Sequence, residues 1–185
     1  MPVHPVLPLV LLALAAACAD AGAERAPAAA PAAEAPPPAP APWTVTPDGA
    51  GPVRVGMSVE ELRGALGGAV EPDSAGGECG YVRPRGGPAG VAFMVVGGRV
   101  ARVDVDSAGI ATAEGARIGD AEPRIQQLYP GRMEVQPHKY TEGQYLVVTP
   151  ADSTRRLVFE TDEGGRVVRF RGGRLPEVEW VEGCG

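Results

Sequence analysis

Arg54-Val55-Gly56-Met57-Ser58-Val59-Glu60-Glu61-Leu62, with Leu66-Gly67-Gly68 close behind, recurs 63 positions later as Arg117-Ile118-Gly119-Asp120-Ala121-Glu122-Pro123-Arg124-Ile125 with Tyr129-Pro130-Gly131. Self-similarity at a fixed spacing is the signature of a repeated structural unit. The match continues downstream. Val91-Ala92-Phe93 aligns with Leu157-Val158-Phe159, and Gly97-Gly98-Arg99-Val100 with Gly164-Gly165-Arg166-Val167, at offsets of 66 and 67 that a few loop insertions explain. Two tandem units are therefore expected, one over about 53–107 and one over about 116–181.

Each unit opens on a helix signal. Ser58 followed three residues later by Glu61 makes a capping box, and Val59, Leu62, Ala65 and Leu66 share one helical face before Gly67-Gly68 ends the turn. In the second unit Asp120 is expected at the N-cap, Pro123 falls in the first turn, Ile125 and Leu128 give the apolar face, and Pro130-Gly131 stops the helix. Such short helices need a sheet to dock on. Hairpins supply it: Gly90–Val96 with Val100–Asp106 around Gly97-Gly98, and Leu157–Thr161 with Arg166–Arg171 around Glu163-Gly164-Gly165. Apolar and charged residues alternate in Val100-Ala101-Arg102-Val103-Asp104-Val105-Asp106 and Val167-Val168-Arg169-Phe170-Arg171, so one face is buried and one is wet. Further strands are expected at Arg132–Gln136, Gln144–Thr149 and Glu177–Val181. The fold class expected is α+β: two tandem repeats, each a short helical segment packed on antiparallel strands.

The head of each unit, Val55-Gly56-Met57-Ser58-Val59-Glu60-Glu61-Leu62 with Leu66-Gly67 and its looser copy at Ile118-Gly119-Asp120, resembles the opening of the SmpA/OmlA family of outer-membrane assembly lipoproteins and of the β-lactamase-inhibitor protein. That resemblance implies a helix-loop-helix packed on an antiparallel sheet, in two tandem copies as in the inhibitor, although this sequence shows no second helix in either unit. It covers the helix segments well and the strands by pattern alone.

Outside the units the composition changes. Ten of the 20 prolines but one glycine lie in residues 1–42, whereas 25 of the 26 glycines and every aromatic residue lie in 43–185. Val6 to Ala17 is apolar apart from Pro8, which suits the hydrophobic region of a signal peptide and is too short to span a bilayer. The run ends Leu14-Ala15-Ala16-Ala17-Cys18 and resembles the lipobox of bacterial lipoproteins, although His4 stands alone where basic residues belong. Residues 1–17 then read as the signal peptide and Cys18 as the lipidated mature N-terminus. Ala19 after the cysteine implies sorting to the outer membrane, facing the periplasm; a secreted or periplasmic soluble protein is the alternative. Residues 18–42 form a tether in which Ala and Pro fill 19 of the 24 positions from Ala19 to Pro42, with nothing to build a core. Extended, it reaches about 70 Å.

Cys79 and Cys184 remain, an even number in an exported chain, and are expected to pair. A formal charge of −6 and a pI near 5.0 exclude nucleic acid as a partner. The inventory for catalysis is thin. His138 is the sole histidine beyond Cys18, so no metal site with two histidines exists there, and the Gly-Gly turns lack phosphate-loop spacing. Asp104-x-Asp106-x-x-Gly109 departs from a calcium loop at Ala108 and Gly115. Acid pairs such as Glu177-x-Glu179 read as solvated surface, and His138 as an exposed loop residue. No enzyme, metal or cofactor is expected. The chain reads as a cell-envelope lipoprotein that binds another envelope protein, as an assembly accessory or, alternatively, as an inhibitor of a secreted or periplasmic hydrolase of the β-lactamase or lysozyme class. Its binding surface is expected on the wet face of the sheet, along the Arg102, Arg169 and Arg171 row, with His138, Lys139, Tyr140 and Tyr145 beside it. Metabolic palmitate labelling is expected to vanish in Cys18→Ser; label that persists refutes the anchor.

Overall fold

The computed structural model describes residues 43–68, 70–73 and 77–185. The leader, Cys18 and the Ala/Pro tether lie outside the described residues. Along the chain run β1 (Thr44–Thr46), β2 (Gly49–Ala50), β3 (Val53–Arg54), α1 (Val59–Ala65), β4 (Val70–Asp73), β5 (Cys79–Pro84), β6 (Val91–Val96) and β7 (Arg99–Val105). They continue with β8 (Ala111–Thr112), α2 (Glu122–Leu128), β9 (Met133–Pro137), β10 (Gln144–Val148), β11 (Arg155–Thr161), β12 (Val167–Arg174) and a 3₁₀ turn at Glu177–Glu179. Eight strands form one antiparallel sheet in the order β4-β5-β6-β7-β12-β11-β10-β9. The shortest strands make a second sheet, β3-β2-β1-β8, in which β1 and β8 run parallel.

Period-two alternation decides which side chains meet. Phe93 of β6, Val103 and Val105 of β7, Phe170 of β12, Phe159 of β11 and Leu146 of β10 turn to one face of the large sheet and are buried there. Leu62 of α1, Ile125 of α2, and Val45 and Val53 of the small sheet close the same core from the other side. Phe159 stands at its centre, with its ring 5.8 Å from Tyr129 and 5.5 Å from Phe170. The two sheets touch where β1 crosses β12. A Cβ on Gly172 would lie 2.6 Å from the Thr46 carbonyl oxygen, so glycine alone permits that approach.

The two quoted stretches dock their helices in the same way. Gly56 and Gly119 both take positive φ, +96° and +93°, which turns the chain back onto a hairpin at little steric cost. Gly56 N–H then donates to Val100 O at 2.8 Å, and Gly119 N–H to Val167 O at 2.7 Å. Val100 N–H returns a bond to Met57 O, and Val167 N–H to Asp120 O. The first helix has its capping box: Glu61 N–H donates to Ser58 Oγ at 3.2 Å and Ser58 N–H to the Glu61 carboxylate at 2.7 Å. The acceptor role holds the Glu61 carboxyl below its ordinary pKa.

Several expectations are corrected. The α+β fold of two tandem helix-on-sheet repeats is overturned by a β-rich architecture: among the described residues twelve strands stand against two seven-residue helices, and the hairpins merge into one continuous sheet. Both stretches dock their helices alike, and each helix is followed by strands of the one large sheet, β4 to β7 after α1 and β9 to β12 after α2. Ala121, not Asp120, is the N-cap of α2, because the Asp120 carboxylate is occupied by the Arg117 N–H at 2.8 Å. Glu177–Val181 is not a strand; it begins as the 3₁₀ turn, which follows directly on Pro176. Strands β1 to β5 and β8 escaped the sequence reading, four of them being only two or three residues long. Phe159→Ala is expected to lower stability by about 3–5 kcal/mol through loss of a fully buried ring, read from the urea midpoint; a change below 1 kcal/mol refutes this core assignment.

Candidate functional site

The face of the large sheet opposite the core carries the charged half of the alternation. Strand β7 places Arg102 and Asp104 there, β12 places Arg169 and Arg171, and β11 places Glu160. The register sets Arg171 directly opposite Asp104 and Arg169 opposite Glu160, so each cross-strand pair joins opposite charges. Apart from Arg169, these groups are covered. The C-terminal residues 175–185 cross over them as a strap, seating Val178 with Leu175 and Val181 on Tyr145, Val147 and Val158 in a second apolar cluster.

Buried guanidiniums hold the strap by its backbone. Arg102 is only 3% exposed; it donates through Nη1 to Glu177 O at 2.8 Å and Trp180 O at 2.7 Å, through Nε to Asp104 at 2.9 Å, and through Nη2 to the Tyr81 hydroxyl at 3.0 Å. Arg171 is equally covered; its Nε donates to Val178 O at 2.6 Å and its Nη1 to Glu160. Arg174 grips the Glu177 carboxylate with two bonds, 2.7 and 3.2 Å. A disulfide between Cys79 of β5 and Cys184, with Cα atoms 5.4 Å apart, closes the far end of the strap. Beneath it a cavity of about 220 Å³ opens among Tyr81, Asp104, Glu160, Arg169 and Gly183.

Glu160 is the hub of the charge network. Besides Arg171 it accepts from Arg169 Nε at 2.7 Å, and His138 Nε2 lies 3.3 Å from its Oε2. Burial alone pushes this carboxyl up, but the Arg171 and Arg169 guanidiniums and His138 together outweigh burial and hold it below its ordinary pKa. At Asp104 the balance tips the other way, burial raising the carboxyl with Arg102 only partly offsetting it. Both carboxylates are thus tied into the structural network. Among the described residues no group of three or more His, Cys, Asp or Glu is arranged to hold a metal ion.

The structure divides the expected binding residues. Arg102 and Arg171 lie under the strap, because the wet face of an alternating strand is wet only until another segment covers it. His138 is not an exposed loop residue: its side chain is 6% exposed and its ring stacks on the buried Tyr145 with centroids 4.4 Å apart. Lys139, Tyr140 and Arg169 do face solvent. Glu177, read as solvated surface, is buried on Arg174. Glu160, Trp180 and Glu182 were not singled out, and Asp104 was weighed only as part of a calcium loop. The signal that locates them is Cys184, since a bond to Cys79 draws the C-terminal residues back across the sheet.

Lys139 Nζ reaches Glu182 at 3.0 Å and the Tyr140 hydroxyl donates to the same carboxylate. These bonds, Tyr140 first, hold the Glu182 carboxyl below its ordinary value. The loop at 138–143 and the strap therefore meet at one rim, where a concavity of about 500 Å³ lies between Lys139, Trp180, Glu182 and the disulfide. Tyr140 is 59% exposed and Trp180 37%.

No family profile matches the chain, and no curated protein does. A solved structure, that of an extracellular protein containing an SCP domain from Bacillus anthracis, is similar at 15% identity over 65% of this chain, with a TM-score of 0.43. The match spans 44% of that protein, less than half its length, and at this TM-score it carries no inference about this chain. No helix among the described residues is long and apolar enough to cross a membrane.

A carboxyl held low in the fold contributes stability that is present above its unfolded pKa and lost as pH falls through its folded value. The urea midpoint is therefore expected to decline between about pH 5 and about pH 3, the range in which glutamates become protonated, and to decline less in Glu160→Gln. Equal slopes in the two proteins refute the role given to Glu160.

Proposed function

We propose that the protein is an exported cell-envelope lipoprotein, anchored through Cys18 in the outer membrane and facing the periplasm, whose folded part binds another envelope protein and is not an enzyme. The observation that carries this reading is the rim: two aromatic side chains, Tyr140 and Trp180, stand exposed on backbone that is already immobilised. The Trp180 carbonyl is held by Arg102, the Tyr140 hydroxyl by Glu182, and the strap by the disulfide. Aromatic anchors on rigid backbone are the side chains that dominate protein interfaces, because little conformational freedom remains to be lost on binding. Lys139 over the Tyr140 ring at 4.9 Å adds a cation whose partner, Glu182, can be exchanged for an acidic group on the bound protein. The disulfide supports an oxidising compartment, and the apolar leader ending at Cys18 supports export and anchoring.

The buried charges support binding over catalysis, since Arg102, Arg171, Asp104 and Glu160 are committed to the strap and to one another. Affinity capture from an envelope extract tests the proposal, using the full chain beside Tyr140→Ala and Trp180→Ala, with Gln127→Ala, at an exposed position of α2, as control. Each rim variant is expected to lose about thirtyfold in affinity for the captured protein, the effect of removing an interface anchor, while the control is unchanged. Capture of the same protein with equal affinity by all four chains refutes the rim. A secreted hydrolase as the captured protein converts the accessory role into inhibition.

A further inference from the structure

His138 does more than pack. Its Nδ1 accepts two backbone hydrogen bonds, from Tyr140 N–H and from Thr141 N–H, both at 3.1 Å. A ring nitrogen that accepts carries no proton, so the proton of the neutral imidazole sits on Nε2, facing Glu160 Oε2. The loop is built around this tautomer: His138 N–H donates to Gly143 O at 3.1 Å and closes its base, while the ring bridges its interior amides. Tyr140 and Lys139, the loop's two contributions to the rim, are thus positioned by an unprotonated Nδ1.

A proton taken from solvent onto Nδ1 turns that acceptor into a donor facing two other donors. Both backbone bonds are then lost, and the closed loop holds two N–H groups against a third. The groups packed around the ring are Tyr145 of β10, Glu160 of β11, Arg169 and Arg171 of β12 by way of Glu160, Gln136 of β9, and the loop's own Tyr140 and Lys139 with Glu182 of the strap. Lys139 pairs with Glu182, Glu160 answers the two guanidiniums and the ring, Asp104 stands opposite Arg171, and Glu142 lies on the loop itself.

We propose that the loop at 138–143 is an acid-sensitive latch on the binding rim: protonation of His138 at Nδ1 releases the Tyr140 and Thr141 amides and withdraws Tyr140 and Lys139 from Glu182. The closed loop is the state at higher pH, and it opens as pH falls, because the neutral ring is the form the closed geometry needs. The consequence for binding rests on the rim reading above; the latch itself is a property of the chain alone and is measured without a partner.

Amide hydrogen exchange on the full chain, followed by NMR from about pH 7.5 to about pH 5, the interval in which imidazoles change charge, tests this. Protection of the Tyr140 and Thr141 amides is expected to fall about tenfold, as for a local opening, in step with the titration of the His138 ring protons, while the Phe159 amide in the core keeps its protection. His138→Asn, whose side-chain carbonyl can accept from the same two amides without titrating, is expected to show flat protection. The latch is overturned if the ring does not titrate in that interval, if protection stays constant while it titrates, or if the core amide is lost together with the loop. Loss of protection in a folded His138→Asn chain overturns it as well. The wild-type titration decides the matter alone should that variant not fold. Failure of the capture experiment leaves these outcomes unaffected.

Discussion

Two arginines buried on the outer face of the large sheet decide how the rest of this molecule is arranged. Arg102 and Arg171 sit on the paired central strands β7 and β12, and their guanidinium groups hold three carbonyls of the strap, those of Glu177, Val178 and Trp180. A buried cation is costly unless its donors are satisfied and its charge is met. Asp104, Glu160 and Tyr81 meet that condition from within the sheet, and the strap carbonyls complete it. A buried ion pair adds little net stability compared with apolar packing, whereas removing one partner costs about 3–5 kcal/mol. The network therefore acts chiefly to select one placement of the strap, and the small Val178 cluster beneath it supplies the apolar burial.

That arrangement gives the sheet two unlike faces. One is an ordinary core, built from Phe93, Phe159 and Phe170 and closed by α1, α2 and the four short strands. The other is charged at its centre and covered by eleven residues of strap, with the disulfide at one end and Leu175 to Val178 at the other. On this side the exposed aromatic residues lie at the rim where strap and loop meet, tied by hydrogen bonds to residues distant in the chain. His138 links the two systems, since its ring touches Glu160 through one nitrogen and shapes the loop through the other.

Much of the β framework was legible. Alternation in Val100–Asp106 and Val167–Arg171 correctly assigned Val103, Val105 and Phe170 to the core and the charged residues to the opposite face, because side-chain direction in a strand follows from parity alone. The capping box at Ser58 and Glu61 was equally clear, being local in sequence. The fold class was not. Two helix signals suggested helix-on-sheet repeats, yet each helix is two turns long, and most of the strands the reading missed are too short to show a period. Asp120 misled for a related reason: its carboxylate had a second local donor in the Arg117 amide, and propensity does not say which wins.

By itself the sequence determined the alternating strands, the capping box at Ser58 and Glu61, the pairing of the two remaining cysteines, and the change of composition at Trp43. Each of these depends on neighbours in sequence or on counting. Only the tertiary structure decided that both hairpins join one sheet, that Arg102, Arg171 and Glu177 are buried, that Glu160 gathers three partners, and that His138 is enclosed. Those outcomes depend on the pairing of β7 with β12 and on where the last eleven residues lie, and hydrogen bonds between residues 75 and 78 positions apart leave no periodic trace in the chain.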